Sequence, residues 1–136
     1  MTLRRKSRQF ALQMLYQWEM TGRKTPRIEE NFWRTAKAAD STRVFANQLY
    51  RGAAMKSAES DELLQNFSTN WPLERMAITD RCILRLAIWE LRSGTAPPAV
   101  VLNEAVELAK MFSGEDSAAF VNGILDAIVK SEAVLK

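Results

Sequence analysis

The sequence predicts an all-α fold of about seven helices. Apolar residues recur at spacings of three and four along almost the whole chain, and no stretch alternates apolar and polar residues as a half-buried strand does. Glycines and prolines divide this pattern into segments joined by short loops. Because 136 residues can bury one sizeable core, we expect a single domain over residues 1–136, built as a compact bundle or as two small bundles packed together.

The first four predicted helices follow from their ends and their apolar faces. Gly22 closes the first helix, and Thr25 with Pro26 resembles the cap and first turn of the second. Asp40 or Ser41 can cap the third. The predicted inward stripe of the third helix is Val44, Phe45, Gln48, Leu49, Gly52 and Met55. The apolar residues of a shorter fourth helix are Leu63, Leu64 and Phe67.

The second half of the chain is divided in the same way. A short helix should open at Pro72, and Thr79 can cap a long helix that ends at Gly94. The predicted inner face of this long helix is Ile83, Leu84, Ala87, Ile88 and Leu91. Pro97 and Pro98 start the next helix. The predicted inner face of that helix is Val101, Ala105, Leu108 and Met111.

The last predicted helix carries an unusual pair of residues at its middle. Ser113 and Asp116 resemble a capping box that opens the helix, which runs to about Lys130. Asn122 and Gly123 follow within it, although a glycine inside a helix costs about 1 kcal/mol relative to alanine. Two interpretations are open: Gly123 allows another helix to approach closely, or Asn122 contributes to a polar site.

The net charge of +3 is concentrated at the N-terminus. Four of the 19 basic side chains, and none of the 16 acidic ones, lie in the first eight residues: Arg4, Arg5, Lys6 and Arg8. The other 128 residues are nearly neutral. Residues 1–8 therefore form a basic arm, which could bind phosphate, an anionic membrane surface or an acidic protein.

The composition excludes many classes of enzyme. Histidine is absent, which removes histidine-dependent triads and metal sites, and no phosphate-binding or dinucleotide-binding glycine motif occurs. Cys82 is expected to be a buried packing residue. The carboxylate pairs Glu104/Glu107 and Glu115/Asp116 are explained by an exposed helix face and a helix N-terminus. We expect no catalytic activity, cofactor or metal.

Cysteine content and hydropathy indicate the compartment. A single cysteine cannot form an internal disulfide, so a reducing cytoplasm is the expected location. No run approaches the roughly 18 apolar residues of a membrane span, and the basic arm is not followed by the apolar run of a signal peptide. We therefore expect a cytoplasmic protein that is not inserted in a membrane.

The first helix combines a core face with a face suited to RNA. Its core residues are predicted to be Phe10, Ala11, Met14, Leu15 and Trp18. Arg5, Gln9, Leu12 and Tyr16 lie on the opposite side. Cations neutralise phosphate, aromatic rings stack on bases and amides bond to base edges, so this stripe suits single-stranded RNA. The alternative is an ordinary solvated face on which Tyr16 lies flat.

Three arginines of the long helix also share a face. Arg81, Arg85 and Arg92 are spaced by four and seven residues. Such a row is usually a solvated surface. Beside the basic arm, it would extend the arm into one continuous cationic track.

Three segments together resemble the NusB antitermination family in content, order and spacing: RRKSRQFALQMLYQWE (4–19), DRCILRLAIWEL (80–91) and LNEAVELAKMFSGEDSAAFVNGILD (102–126). The resemblance implies two small three-helix bundles with an extra helix. It also implies a transcription antitermination factor that binds the single-stranded boxA RNA of ribosomal RNA transcripts. The implied partners are NusE, a ribosomal small-subunit protein, and the transcription elongation complex; a homodimer is one of the oligomeric states that the family allows.

The resemblance also assigns residues. Carried onto this sequence, the family's RNA-binding positions are Arg4, Arg5, Lys6, Arg8, Tyr16, Phe67, Arg85, Asp116 and Phe120. Asp80 lies where the family has an acidic residue near the RNA and partner edge. Gln9 and Asn122, taken from the helix faces above, complete the predicted site.

Two other functions stay open. The same fold occurs as the N-terminal domain of an RNA cytosine methyltransferase family, but the chain has no room for a methyl-donor domain and no second cysteine. The second alternative function is that of a helical protein-interaction adaptor that does not bind RNA. The salt dependence of RNA binding separates the adaptor from the two RNA-directed functions.

Overall fold

The computed structural model describes residues 3–23, 27–68 and 70–135. Within these ranges the chain forms seven α-helices and no strand, which confirms the all-α prediction. The helices are α1 (Leu3–Met20), α2 (Ile28–Thr35), α3 (Asp40–Met55), α4 (Ser57–Phe67), α5 (Ile78–Ser93), α6 (Pro98–Phe112) and α7 (Glu115–Ser131). Two short 3₁₀ helices cover Leu73–Arg75 and Ala133–Leu135. None of the described helices combines the length and apolar character needed to cross a lipid bilayer.

Helix α5 lies at the centre of the molecule. It packs against α1 and α3 on one side and against α6 and α7 on the other, while α4 packs beside it. Its predicted inner face is buried in full, and Cys82 and Leu86 on other sides of the helix are buried as well. A helix that is surrounded in this way needs apolar residues around most of its circumference. Two groups of helices, α1–α3–α5 and α5–α6–α7, therefore share one core.

The predicted C-terminal glycines lie at the helix ends, whereas the predicted N-terminal capping residues do not cap their helices. Gly94 adopts the left-handed φ of 71° after α5 and donates its N–H to the Glu90 carbonyl, 2.9 Å away. Asp40 and Thr79 lie inside the first turns of their helices, and the side chain of Ser113 forms no cap hydrogen bond. These helix starts therefore lack the side-chain caps that the sequence predicted. Thr25 and Pro26 lie outside the described residues.

The predicted inward stripe of helix α3 is confirmed only in part. Val44, Gln48 and Met55 are exposed. Leu49 is buried, Phe45 packs against the core and Gly52 faces Trp89 of α5, as predicted. The side chains that are buried in addition are Thr42, Ala46, Tyr50 and Ala53. The helix packs closely on both α1 and α5, and this close packing favours small residues on the buried face. The apolar content of α3 was therefore a poor guide to its orientation.

Candidate nucleic-acid interface

The basic arm is helical from Leu3, so its cations occupy the first two turns of α1. Arg4 and Lys6 are exposed, and the Arg4 guanidinium carbon lies 3.8 Å from the centroid of the Phe45 ring. Arg5 is partly exposed and donates its Nε–H to Glu104 Oε2 of α6 over 2.9 Å. No acidic residue lies in the first turn of α1, where the helix dipole favours negative charge. This end of the helix is therefore suited to an anionic ligand.

Arg8 does not belong to that surface, which corrects the prediction that it contacts RNA. Its side chain is buried, with 4% of the residue exposed. The guanidinium donates to both carboxylate oxygens of Glu90 in α5 over 2.9–3.1 Å, and Thr95 donates to the same carboxylate over 2.8 Å. A guanidinium that is bonded in this way has no face left for phosphate. Arg8 holds α1 against α5.

Arg85 is also buried, which corrects both its RNA assignment and the cationic track. Only 1% of the residue is exposed, and its Nε and Nη1 donate to Asp61 of α4 over 2.7 Å and to Glu19 of α1 over 2.8 Å. Burial alone would lower the pKa of Arg85, but the bonds and charges of Asp61 and Glu19 outweigh it and raise the pKa. Arg85 therefore remains charged while joining three helices, and no row of exposed arginines runs along α5.

The outer face of α1 contains the predicted tyrosine. Tyr16 is 42% exposed, whereas Leu12, which was predicted beside it on the surface, is buried. Gln9 is partly buried. Tyr16 lies opposite the core face that Ala11, Met14 and Leu15 form, as the sequence indicated.

Tyr16 lies at the mouth of a cavity of about 300 Å³ between α1 and the C-terminal end of α6. Leu12 and Phe32, both buried, line it from below, and Phe112 from α6 is 40% exposed. The other lining residues are Gln13, Gln17 and Thr79. The cavity thus combines aromatic rings with amide and hydroxyl groups.

Three of these lining residues were not predicted from the sequence: Gln13, Gln17 and Phe112. The expectation that Met111 points inward left Phe112 unconsidered, but Met111 is 49% exposed. Gln13 and Gln17 are four residues apart, and Tyr16 follows Gln13 by three, so helical spacing alone places all three on neighbouring positions of α1. That spacing was the signal available in the sequence.

The predicted residues of α7 divide into exposed and partly buried ones. Asp116 and Asn122 are exposed, and Asn122 lines an open groove between α6 and α7. Phe120 is partly buried against the core. In the described part of the chain, no atom of a neighbouring helix lies within 4 Å of a Cβ added to Gly123, so the interpretation that Gly123 admits a neighbouring helix is wrong.

Asp80 and Phe67 are less accessible than predicted. Asp80 is buried, and Ser117 of α7 donates a hydrogen bond to its Oδ2 over 3.3 Å. Among the residues that the structure describes, no donor lies within hydrogen-bond distance of Oδ1. Burial raises the pKa of Asp80 although the Ser117 hydrogen bond opposes the shift. Its carboxylate joins α5 to α7 and is not presented to a partner protein, and Phe67 packs against the core.

Cys82 has the character of a packing residue. It is buried in α5, and burial raises the pKa of its thiol to about 11. A thiol with this pKa is protonated at neutral pH and is a poor nucleophile.

Comparisons with known proteins all point to one family. The model of the NusB family matches residues 5–130. The chain is 46% identical over 132 residues to the transcription antitermination protein NusB of Sorangium cellulosum, covering 96% of this chain and 94% of that protein. It is 40% identical over 129 residues to the protein of the same name from Koribacter versatilis, covering 93% of this chain and 88% of that protein.

Solved structures agree with the sequence comparison. NusB of T. maritima aligns with a TM-score of 0.84 at 32% identity, covering 95% of this chain and 92% of that one. A chain from the crystal structure of the antitermination factors NusB and NusE in complex with dsRNA aligns with a TM-score of 0.84 at 27% identity. The alignment covers 96% of this chain and 98% of that one. The likeness extends over the whole fold.

Proposed function

The chain belongs to the NusB family of transcription antitermination proteins, and from this we propose that it binds the single-stranded boxA element of ribosomal RNA transcripts together with NusE. The family is not one of enzymes. Residues 1–136 would act as one RNA-binding domain, in the cytoplasm and within the transcription elongation complex. Similarity to a chain from the crystal structure of NusB and NusE in complex with dsRNA supports NusE and RNA as partners, while boxA and its single-stranded form are part of the proposal.

The observation that carries the proposal is helix α1, which has exposed cations in its first turn and an exposed aromatic ring further along. Arg4 lies at the groove between α1 and α3, and Lys6 lies on the side of Gln13, so the cations flank the face of Tyr16. Arg4 and Lys6 occupy the first turn, and Tyr16 lies about 15 Å further along the helix axis at 1.5 Å per residue. Arg5 lies between them, and its partly exposed bond to Glu104 is of the kind that contributes little to stability. A phosphate can replace the Glu104 carboxylate there. Single-stranded RNA binds through this combination of cations and stacking surfaces.

Removing the two exposed cations should weaken binding in a salt-dependent manner. With Arg8 buried, Arg4 and Lys6 are the exposed cations of the arm, and they should contribute about −1.4 to the slope of the logarithm of affinity against the logarithm of salt. Arg5 would add about −0.7 if a phosphate replaces Glu104 as its partner. Arg4→Ala with Lys6→Ala should reduce the steepness by about 1.4 and leave the melting temperature nearly unchanged. Fluorescence titrations with boxA RNA at several salt concentrations measure this slope.

A matched control removes two exposed lysines elsewhere. Lys37→Ala with Lys130→Ala changes the net charge by the same amount but lies outside α1. We expect little change in its slope. Equal flattening in both double variants would mean that overall charge, and not the arm, attracts the RNA.

Replacing Tyr16 with alanine should reduce affinity for boxA RNA about five- to a hundredfold, because base stacking on an aromatic ring contributes about 1–3 kcal/mol. The melting temperature should change little, since the ring is half exposed. Tyr50→Ala is the matched control: this tyrosine is buried in α3, so its loss should lower thermal stability. A Tyr16 variant that melts early yet binds RNA normally would refute the assignment.

A further inference from the structure

We propose that the cavity between α1 and α6 receives one unstacked base of the bound RNA, an inference that rests on the proposed RNA-binding function. Its volume of about 300 Å³ lies at the lower end of the range for small-molecule sites. Single-stranded RNA is recognised through bases that leave the stack and insert between protein side chains. The volume of the cavity, its apolar lining residues and the polar side chains at its edge suit such a base.

The walls of the cavity are apolar. Leu12 and Phe32 are buried beneath it, while the rings of Tyr16 and Phe112 come from two different helices and are partly exposed. Phe112 is the last residue of α6, and the N–H groups of Ser113 and Gly114 that follow it both donate to the Ala109 carbonyl over 2.8 and 2.9 Å. A planar base between these side chains would remove apolar ring surface from water.

The rim of the cavity is polar but uncharged. Gln13 and Gln17 are exposed, and within the described ranges their side-chain amides are not hydrogen-bonded to other protein groups. Each amide offers donors and an acceptor, which match the edge of a base, and Thr79 adds a hydroxyl. An aliphatic side chain of a protein partner would form no hydrogen bonds with these groups.

The absence of charge among the lining residues distinguishes this cavity from neighbouring grooves. The groove between α1 and α3 contains Arg4, and the groove between α6 and α7 contains Lys110 and Glu115. A phosphate would find no cation inside the α1–α6 cavity. Lys6, however, precedes Gln13 by seven residues on the same side of α1, about 10 Å away along the axis. The phosphate chain can therefore bind Lys6 while a base enters beside Gln13.

The test combines protein variants with RNAs that lack one base. A set of boxA RNAs, each with a single abasic nucleotide, is titrated against the wild-type protein and against Phe112→Ala. For the wild type, one abasic position should weaken binding about five- to a hundredfold more than its neighbours. Phe112→Ala should bind intact RNA more weakly than the wild type by a similar factor. In this variant the same abasic position should reduce affinity little further.

Two further variants separate the site from the fold. Met111→Ala removes a neighbouring exposed side chain that does not line the cavity, and it should bind every RNA as the wild type does. Phe112→Leu retains apolar volume without an aromatic ring, so it should melt like the wild type yet bind RNA like Phe112→Ala. Gln13→Ala should reduce the penalty at that same abasic position.

The outcomes distinguish this inference from the function on which it rests. If the wild type binds boxA RNA but Phe112→Ala binds it as tightly as Met111→Ala does, the base site is wrong and the proposed function stands. If Phe112→Ala weakens binding while every abasic penalty persists, the cavity holds no base and the ring acts through the fold or through NusE. Failure of the wild type to bind boxA RNA overturns both.

Discussion

Replacing Arg85 with alanine should lower the free energy of unfolding by about 3 kcal/mol, because it leaves the Asp61 carboxylate without its cation and removes one of the two guanidinium groups that bond Glu19. Asp61 and Glu19 both accept hydrogen bonds from this guanidinium, and they belong to α4 and α1. One substitution therefore weakens the contacts of both helices with α5. Denaturant unfolding followed by circular dichroism measures the loss.

Arg92→Ala is the matched control on the same helix. Arg92 is exposed and lies 3.4 Å from Glu59, so its loss should cost less than about 1 kcal/mol. If both variants are equally stable, then Arg85 is not the cation that holds this junction together, and the prediction that Arg85 contacts RNA would again be open.

Acid should weaken the same junction in the wild type. Burial alone would raise the pKa of Glu19, but the hydrogen bond from Arg23 and the charge of Arg85 outweigh it and leave the pKa below its usual value. The ionised Glu19 therefore stabilises the fold at neutral pH. This stabilisation should disappear as the pH falls through the lowered pKa. The Arg85→Ala variant should show a smaller pH dependence in this range, because only Arg23 then favours the ionised Glu19.

Two glycine-to-alanine substitutions should change stability in opposite directions. A Cβ on Gly52 of α3 would overlap the indole ring of Trp89 on α5, so Gly52→Ala forces the ring or the helices apart and should cost about 1–3 kcal/mol. Gly123 lies inside α7 with open space around it, so Gly123→Ala should stabilise the protein by up to about 1 kcal/mol through higher helix propensity. Melting temperatures of the two variants provide the comparison. A shift of both in the same direction would contradict the packing described for α3 and α5.

Local patterns in the sequence determined the helices but not the partners of their side chains. The inner face of α5 was predicted correctly because five apolar residues at helical spacing have no other place to be buried. The inner face of α3 was predicted only in part, since Val44, Gln48 and Met55 are exposed and the buried positions depend on how α1 and α5 pack against this helix.

The same limit explains the errors among the arginines. Arg4 and Arg8 are four residues apart in one basic run, yet Arg4 is exposed and Arg8 is buried against Glu90, 82 positions along the chain. Nothing near Arg8 in the sequence identifies that carboxylate. The helical period of α1 placed Tyr16 correctly on the exposed side, but it also placed Leu12 there, and Leu12 is buried.

The most direct test of RNA recognition is a titration of labelled single-stranded boxA RNA with the wild-type chain, alone and in the presence of NusE. We expect binding that prefers boxA over a scrambled sequence of the same composition, weakens as salt increases, and becomes tighter when NusE is added. Equal affinity for boxA and scrambled RNA, with no effect of NusE, would contradict the proposed function.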